Sequence, residues 1–159
     1  MSAPLPALTV WEPWASLIAA RAKPYEFRGW CAPKAYQDKR LAIHAGARPP
    51  RAAEIRELLA RLSGPEAWST GLRPEAAVHV LERFLTGKPA TRSHVLCLVT
   101  LGVPVPAGSI MGEFGAPMND SDRGEHAAWA WPMLDVAELQ PPLPAKGAQG
   151  FWRWSGEAA

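Results

Sequence analysis

An α+β fold, built on a small, mainly antiparallel β-barrel flanked by two or three helices, is what this sequence predicts. Three observations carry that expectation. Short apolar segments of strand length recur from Leu8 to Trp154. Two longer stretches, around residues 51–62 and after Pro74, show helical rather than alternating spacing. The 17 prolines and 13 glycines are spread between apolar segments, where they punctuate turns and do not form a low-complexity tract. The 159 residues suit one domain, 1–159, long enough to bury a core unaided.

The elements follow in order. Leu8-Thr9-Val10-Trp11 reads as a strand. Pro13 suits the first position of a helix, where its missing N–H costs nothing, and Trp14, Leu17 and Ile18 carry helical spacing to about Arg21. Tyr25 to Gly29 reads as extended, and Leu41 to Ala45 as a strand stopped by Gly46 and Pro49-Pro50. In 51–62, Ile55, Leu58, Leu59 and Leu62 form one apolar stripe, and Gly64-Pro65 ends it. Pro74 opens another helix, with Ala77, Leu81, Phe84 and Leu85 on one face and Gly87 after it. His94 to Leu101 fits a buried strand or a short buried helix equally well. Ser109 to Phe114 reads as a strand, 115–127 as a polar loop, and Trp129 to Met133 as a strand with Trp129 and Trp131 on one core face. Leu139 to Lys146, with Pro141, Pro142 and Pro144, reads as an extended edge segment, and Phe151 to Trp154 as a closing strand.

Composition narrows the function classes. No apolar run approaches the about 18 residues that span a bilayer, and the first residues lack a basic region followed by an apolar run, so neither membrane nor signal peptide is expected. Cys31 and Cys97 form no CxxC pair, and the four histidines are scattered. The expectation is a reduced cytoplasmic protein without metal or cofactor. Net charge is +2, but residues 1–61 hold ten Lys/Arg against five Asp/Glu, whereas residues 62–159 hold seven against ten. The basic first part suits an anionic or nucleotide-like partner without reaching the charge of a dedicated duplex binder.

The stretch Lys23-Pro24-Tyr25-Glu26-Phe27-Arg28 carries the chemistry. On an extended chain Glu26 and Arg28 point to the same side, with Lys23 at the bend leading in. A carboxylate between two cations is either an ion-pair staple or a small polar site able to move a proton.

The ordered motifs resemble the ASCH domain (activating signal cointegrator homology), a branch of the PUA-like superfamily. The family's opening strand and Gln-Pro-Trp-Ala helix start compare with Leu8-Thr9-Val10-Trp11-Glu12-Pro13-Trp14-Ala15. Its hallmark Gly-x-Lys-x-x-Glu-x-Arg compares with Lys23, Glu26 and Arg28, with Arg21 in place of the glycine. An Ile-His-Ala strand compares with Ile43-His44-Ala45, and a late aromatic-Ala-Trp strand with Trp129-Ala130-Trp131. Pro-Pro-x-Pro-x-Lys-Gly and a terminal aromatic strand compare with 141–147 and Phe151-Trp152. Two departures bear on which ligand fits: Arg21 for glycine adds bulk and charge at the mouth of the expected site, and Glu12 for glutamine replaces a neutral amide with a carboxylate.

The resemblance implies a nucleic-acid or nucleobase-binding scaffold with a cleft near the hallmark. Small single-domain relatives are amidohydrolases that remove the acyl group from N4-acetylcytidine; other members resemble RNA-binding modules, and ribonuclease activity is attributed to the family. The expected activity is therefore hydrolysis of an N4-acylated cytosine or cytidine. Competing expectations are a non-catalytic RNA- or DNA-binding module, with single-stranded RNA as partner, and a metal-independent ribonuclease.

Lys23 and Glu26 are the catalytic candidates, because amide hydrolysis needs an activated nucleophile and a proton donor for the leaving amine. Amidohydrolase relatives can carry a threonine where Glu26 stands, so Thr9, Ser16 or water is left to attack. Arg28 is the candidate substrate clamp, or else the structural partner of Glu26. Tyr25, Trp14 and Trp30 offer faces for a stacked base, though aromatics at such spacing also build cores. His44 is a substrate-binding candidate whose alternative is a satisfied core histidine. Lys146 either reaches the cleft rim or is solvated.

Overall fold

The computed structural model describes residues 4–87, 91–114 and 129–156. The polar 115–127 stretch lies outside them. Among the described residues, seven strands and three α-helices follow in the order β1 (Leu5–Val10), α1 (Trp14–Ala19), β2 (Tyr25–Arg28), β3 (Lys39–Ala45), α2 (Ala52–Leu62), α3 (Pro74–Leu85), β4 (His94–Leu101), β5 (Val105–Pro106), β6 (Trp129–Pro144) and β7 (Phe151–Trp154). The α+β class and the mainly antiparallel sheet are as the sequence predicts. Short 3₁₀ turns at Lys34–Tyr36 and Ala67–Thr70 were not foreseen.

The strands hydrogen-bond in the order β2-β6-β4-β3-β1-β7, with β5 also beside β6. β1 and β3 run parallel, and the other pairings are antiparallel. The expected closed barrel is not formed: β2 and β7 end the path unpaired with each other. Aromatic rings span the gap instead. Trp30, just past β2, stands edge-on to Phe151 of β7 at 6.1 Å, and Phe151 stacks on Trp131 of β6 at 5.8 Å. Among the described residues, side chains and not a ladder of backbone bonds join β2 to β7.

His94 to Leu101 resolves as a strand, the central β4, paired on both sides. One apolar layer lies between the sheet and α1, built on Leu8, Ile18, Leu41, Ile43, Val99, Leu101 and Trp131. A second joins α1 to α2 and α3 through Leu17, Ile55, Leu58, Leu72, Val80 and Leu81. The stripe foreseen on 51–62 faces that layer, with Leu59 half-buried.

Ser109 to Phe114 is not a strand. Ala107–Phe114 winds as a 3₁₀ segment, started where the Ser109 hydroxyl donates to the Pro106 carbonyl at 2.7 Å. Its apolar anchors, Ile110 and Phe114, lie four residues apart, and both join the cluster of Tyr25, Phe27, Val105 and Ala130.

Candidate functional site

The short helix α1 sets up the site. It ends in a Schellman motif: the Arg21 amide donates to the Ile18 carbonyl and the Ala22 amide to the Leu17 carbonyl. This motif needs a left-handed residue, and Arg21 supplies it at φ 62°. The glycine of the ASCH hallmark would fill that place without strain. The reversed chain then brings the Lys23 amide back to the Leu17 carbonyl at 3.1 Å, which turns the Lys23 side chain inward.

Lys23 and Glu26 are both nearly buried, 5% and 7% exposed. Lys23 Nζ lies 3.5 Å from Glu26 Oε1, 4.8 Å from the centre of the Phe27 ring and 5.3 Å from that of Trp14. The other carboxylate oxygen, Glu26 Oε2, accepts from Arg28 at 3.1 Å. The same Arg28 nitrogen lies 3.4 Å from the Thr9 carbonyl, so it bridges β2 to β1 across the open seam. The lysine, carboxylate and arginine read from the sequence therefore form one connected line.

That line lies in a cleft of about 860 Å³. Its lining comes from both sides of the open seam: Glu26, Phe27 and Arg28 from the end strand β2, and Thr9 and Val10 from β1, next to the other end strand. Ala148, Gln149 and Gly150, which lead into β7, complete the rim. The cleft occupies the place where a closed barrel would have continued its ladder. Trp14 forms part of the wall, while Trp11 and Trp30, 56% and 42% exposed, belong to its open side.

Two candidate ligand contacts lie elsewhere. Tyr25 points to the other face of β2, where its hydroxyl donates to Glu113 at 2.6 Å. Burial, and then that carboxylate, push its pKa up to about 12. His44 is buried and is not part of the lining. Its Nε2 reaches the Ala145 carbonyl at 2.7 Å and must donate there, which leaves Nδ1 to accept from the Thr9 hydroxyl at 3.1 Å. Thr9 Oγ1 in turn accepts from Trp152 Nε1 at 3.0 Å. Burial holds the His44 pKa below its ordinary value, in keeping with a neutral ring. The core reading of His44 is the one its position fits.

Both departures from the hallmark also lie off the cleft. Arg21 turns outward and donates to the Val136 carbonyl at 2.5 Å. Glu12 is 1% exposed and caps α1, accepting from the Ser16 amide at 2.7 Å and the Ser16 hydroxyl at 2.5 Å. Desolvation raises its pKa, only partly offset by those two bonds. Arg21 thus does not crowd the mouth, contrary to the sequence expectation, and the Glu12 carboxylate serves α1 and is not part of the lining. Lys146 is likewise outside the lining, whereas the residues just after it form the rim.

Sequence reasoning missed Trp11, Phe27, Thr70 and Gln149 as lining residues. Trp11 had a legible signal, because a tryptophan directly after a buried strand and before Glu-Pro has no core face left to fill. Thr70 had none: it arrives through a 3₁₀ turn from a distant part of the chain.

No protein-family model and no curated protein matches this chain.

Proposed function

We propose that this chain is an ASCH-type, PUA-like domain that hydrolyses the exocyclic amide of an N4-acylated cytosine nucleoside. The observation that carries the reading is the buried Lys23–Glu26 ion pair, 3.5 Å apart, in an aromatic-lined cleft large enough for a nucleoside. The order of the sequence motifs supports the family. Two free cysteines, one exposed and one buried, suit the reducing cytoplasm proposed as its setting.

In this reading water is the nucleophile. The threonines that line the cleft are engaged: Thr9 with His44 and Trp152, and Thr70 as donor to the Ala67 carbonyl at 2.7 Å. Ser16 lies outside the lining, and its hydroxyl donates to Glu12. Glu26 takes a proton from water as it adds to the acyl carbonyl, and the Lys23 ammonium faces the oxyanion that develops. Glu26 then returns the proton to the departing cytosine amine as the C–N bond breaks. Arg28 holds a base carbonyl through its planar fork, and Trp14 and Trp30 supply stacking faces.

The test is incubation with N4-acetylcytidine, following the release of cytidine and acetate, beside Lys23→Met and Glu26→Gln variants whose fold is checked by circular dichroism. Turnover that falls by about a hundredfold or more in both folded variants is the expected result. No turnover by well-folded wild-type protein would overturn the reading. Oligonucleotide binding that weakens steeply with salt would then favour the RNA- or DNA-binding module, and chelator-resistant RNA cleavage would favour the ribonuclease.

A further inference from the structure

Phe27 touches both members of the buried ion pair. Its backbone amide donates to Glu26 Oε1 at 3.2 Å, the same oxygen that faces Lys23 Nζ at 3.5 Å. The centre of its ring lies 4.8 Å from that Nζ, inside the about 6 Å over which a ring face attracts a cation. The Trp14 ring stands farther off, at 5.3 Å. All four residues line the cleft. The Phe27 ring is itself held in place, since it also packs against the apolar cluster of Ile110 and Ala130.

A lysine only 5% exposed has lost most of its water, and burying an ammonium is costly unless its neighbours replace that water. Glu26 is one such neighbour, but it changes during the reaction. When it takes a proton from the attacking water, its negative charge is gone. That is the step at which the ammonium is needed opposite the oxyanion. A ring face does not titrate. Its attraction for the ammonium persists when the proton moves, and it is stronger where water is excluded.

We propose that Phe27 is a positioning residue of this cleft: its ring face holds the Lys23 ammonium in place while Glu26 passes through its protonated form. This rests on the amide-hydrolysis reading of the cleft, in which Glu26 is the base. Phe27 acts through Lys23 and not on the reacting atoms, and Trp14 adds a second ring contact to the same ammonium. The contact matters most once Glu26 is neutralised. Its loss should therefore slow turnover more than it weakens substrate binding.

The test makes Phe27→Leu and Phe27→Tyr in the full chain and also replaces Phe27 by 4-fluoro-, 3,5-difluoro- and pentafluorophenylalanine. The fluorinated rings keep their shape while negative charge is drained from the face. Two readouts are taken: turnover of N4-acetylcytidine, and the NMR signal of the Lys23 ε-methylene, assigned by its absence from Lys23→Met. In wild type that signal should lie upfield of an ordinary lysine, shifted by the ring current. It should return toward the ordinary position in Phe27→Leu and in the pentafluoro variant. The kcat should fall stepwise along the fluorinated series, to about a tenth of wild type with the fully fluorinated ring, while KM stays within about twofold. Phe27→Tyr should keep most of the turnover. A kcat flat across the fluorinated series overturns the proposal even where Phe27→Leu is slow, because the ring is then packing alone. A loss carried by KM with kcat unchanged also overturns it, since the ring would then bind substrate directly. So does a Lys23 signal at the ordinary lysine position in wild type. Folded wild-type protein without turnover overturns the amide-hydrolysis reading instead. The NMR arm then still decides the hold on Lys23, which is refuted by a signal that pentafluorination leaves unmoved.

Discussion

Arg21 shows how one residue can carry a structural requirement that its own chemistry opposes. The Schellman turn that ends α1 demands a left-handed residue, and a side chain there costs about 1–2 kcal/mol relative to the right-handed form. Arg21 offsets part of this with its bond to the Val136 carbonyl. Comparing Arg21→Gly with Arg21→Ala isolates the strain, because both lose that bond and only glycine relaxes the backbone. Glycine also adds about 0.4–1 kcal/mol of unfolded-state freedom, which is smaller than the strain removed. Arg21→Gly should therefore unfold at a higher urea midpoint than Arg21→Ala. Equal midpoints would mean that the turn does not hold the strain its φ implies. At this scale the sequence was legible where spacing alone decided the outcome: Glu26 and Arg28 meet because extended residues two apart share a face. It was not legible at Tyr25, whose partner Glu113 lies 88 positions away on a segment expected to be a strand.

The elements that the sequence described least well are those where β-pairing is interrupted. Residues 129–133 and 139–146 read as separate segments, yet β6 runs continuously through both to Pro144. Two irregularities against β4 explain this. Leu98 and Thr100 face Ala137 and Leu134, while Val95 and Cys97 face Leu143 and Glu138, so β6 carries extra residues at each step. Pro141 and Pro142 fall in the larger excess, where no ladder N–H is needed, and the extended-edge expectation holds for this half because β2 pairs only with 129–132. Beyond β6, Gly147 lies where any Cβ would come within 2.6 Å of both His44 Cε1 and Thr9 Oγ1. The glycine that ends the Pro-Pro-x-Pro-x-Lys-Gly motif is thus a packing requirement on His44. Gly147→Ala should destabilise the fold by about 1–3 kcal/mol, because ring and backbone must move apart. Gly108→Ala, with nothing within 4 Å of its Cβ, should stay within about 0.5 kcal/mol. Urea unfolding of the two variants side by side tests this, and a Gly147→Ala midpoint equal to that of Gly108→Ala would refute it.

For the molecule as a whole, the open seam is the feature that sequence periodicity could not disclose, since closure depends on sheet twist and on which edge strands finally meet. The wall of that seam, the end of β1, lies between two buried titratable groups of opposite character. His44 bonds to Thr9, and Glu12 directly follows Trp11. Burial drives both toward their neutral forms, so their effects on stability oppose each other. The Glu12 pKa is raised from 4.5, so the folded state holds its proton more tightly than the unfolded state does. Its contribution is fully present below about pH 4.5 and is lost as pH rises through the folded value. The His44 pKa is lowered from 6.5, so its contribution is fully present above about pH 6.5 and is lost as pH falls through the folded value. Glu12→Gln keeps an acceptor for the Ser16 amide and removes the ionisation. It should be more stable than wild type at neutral pH, with a margin that shrinks toward pH 4.5. His44→Gln keeps a donor for the Ala145 carbonyl and removes the opposite slope, so its deficit relative to wild type should narrow as the solution is acidified below pH 6.5. Urea midpoints measured from neutral pH down to about pH 4.5 for the three proteins separate the two groups. A Glu12→Gln margin constant across that range would show that the cap carries no desolvation penalty in the folded chain. A constant His44→Gln deficit would show the same for the histidine, and the wall of the cleft would then be insensitive to pH.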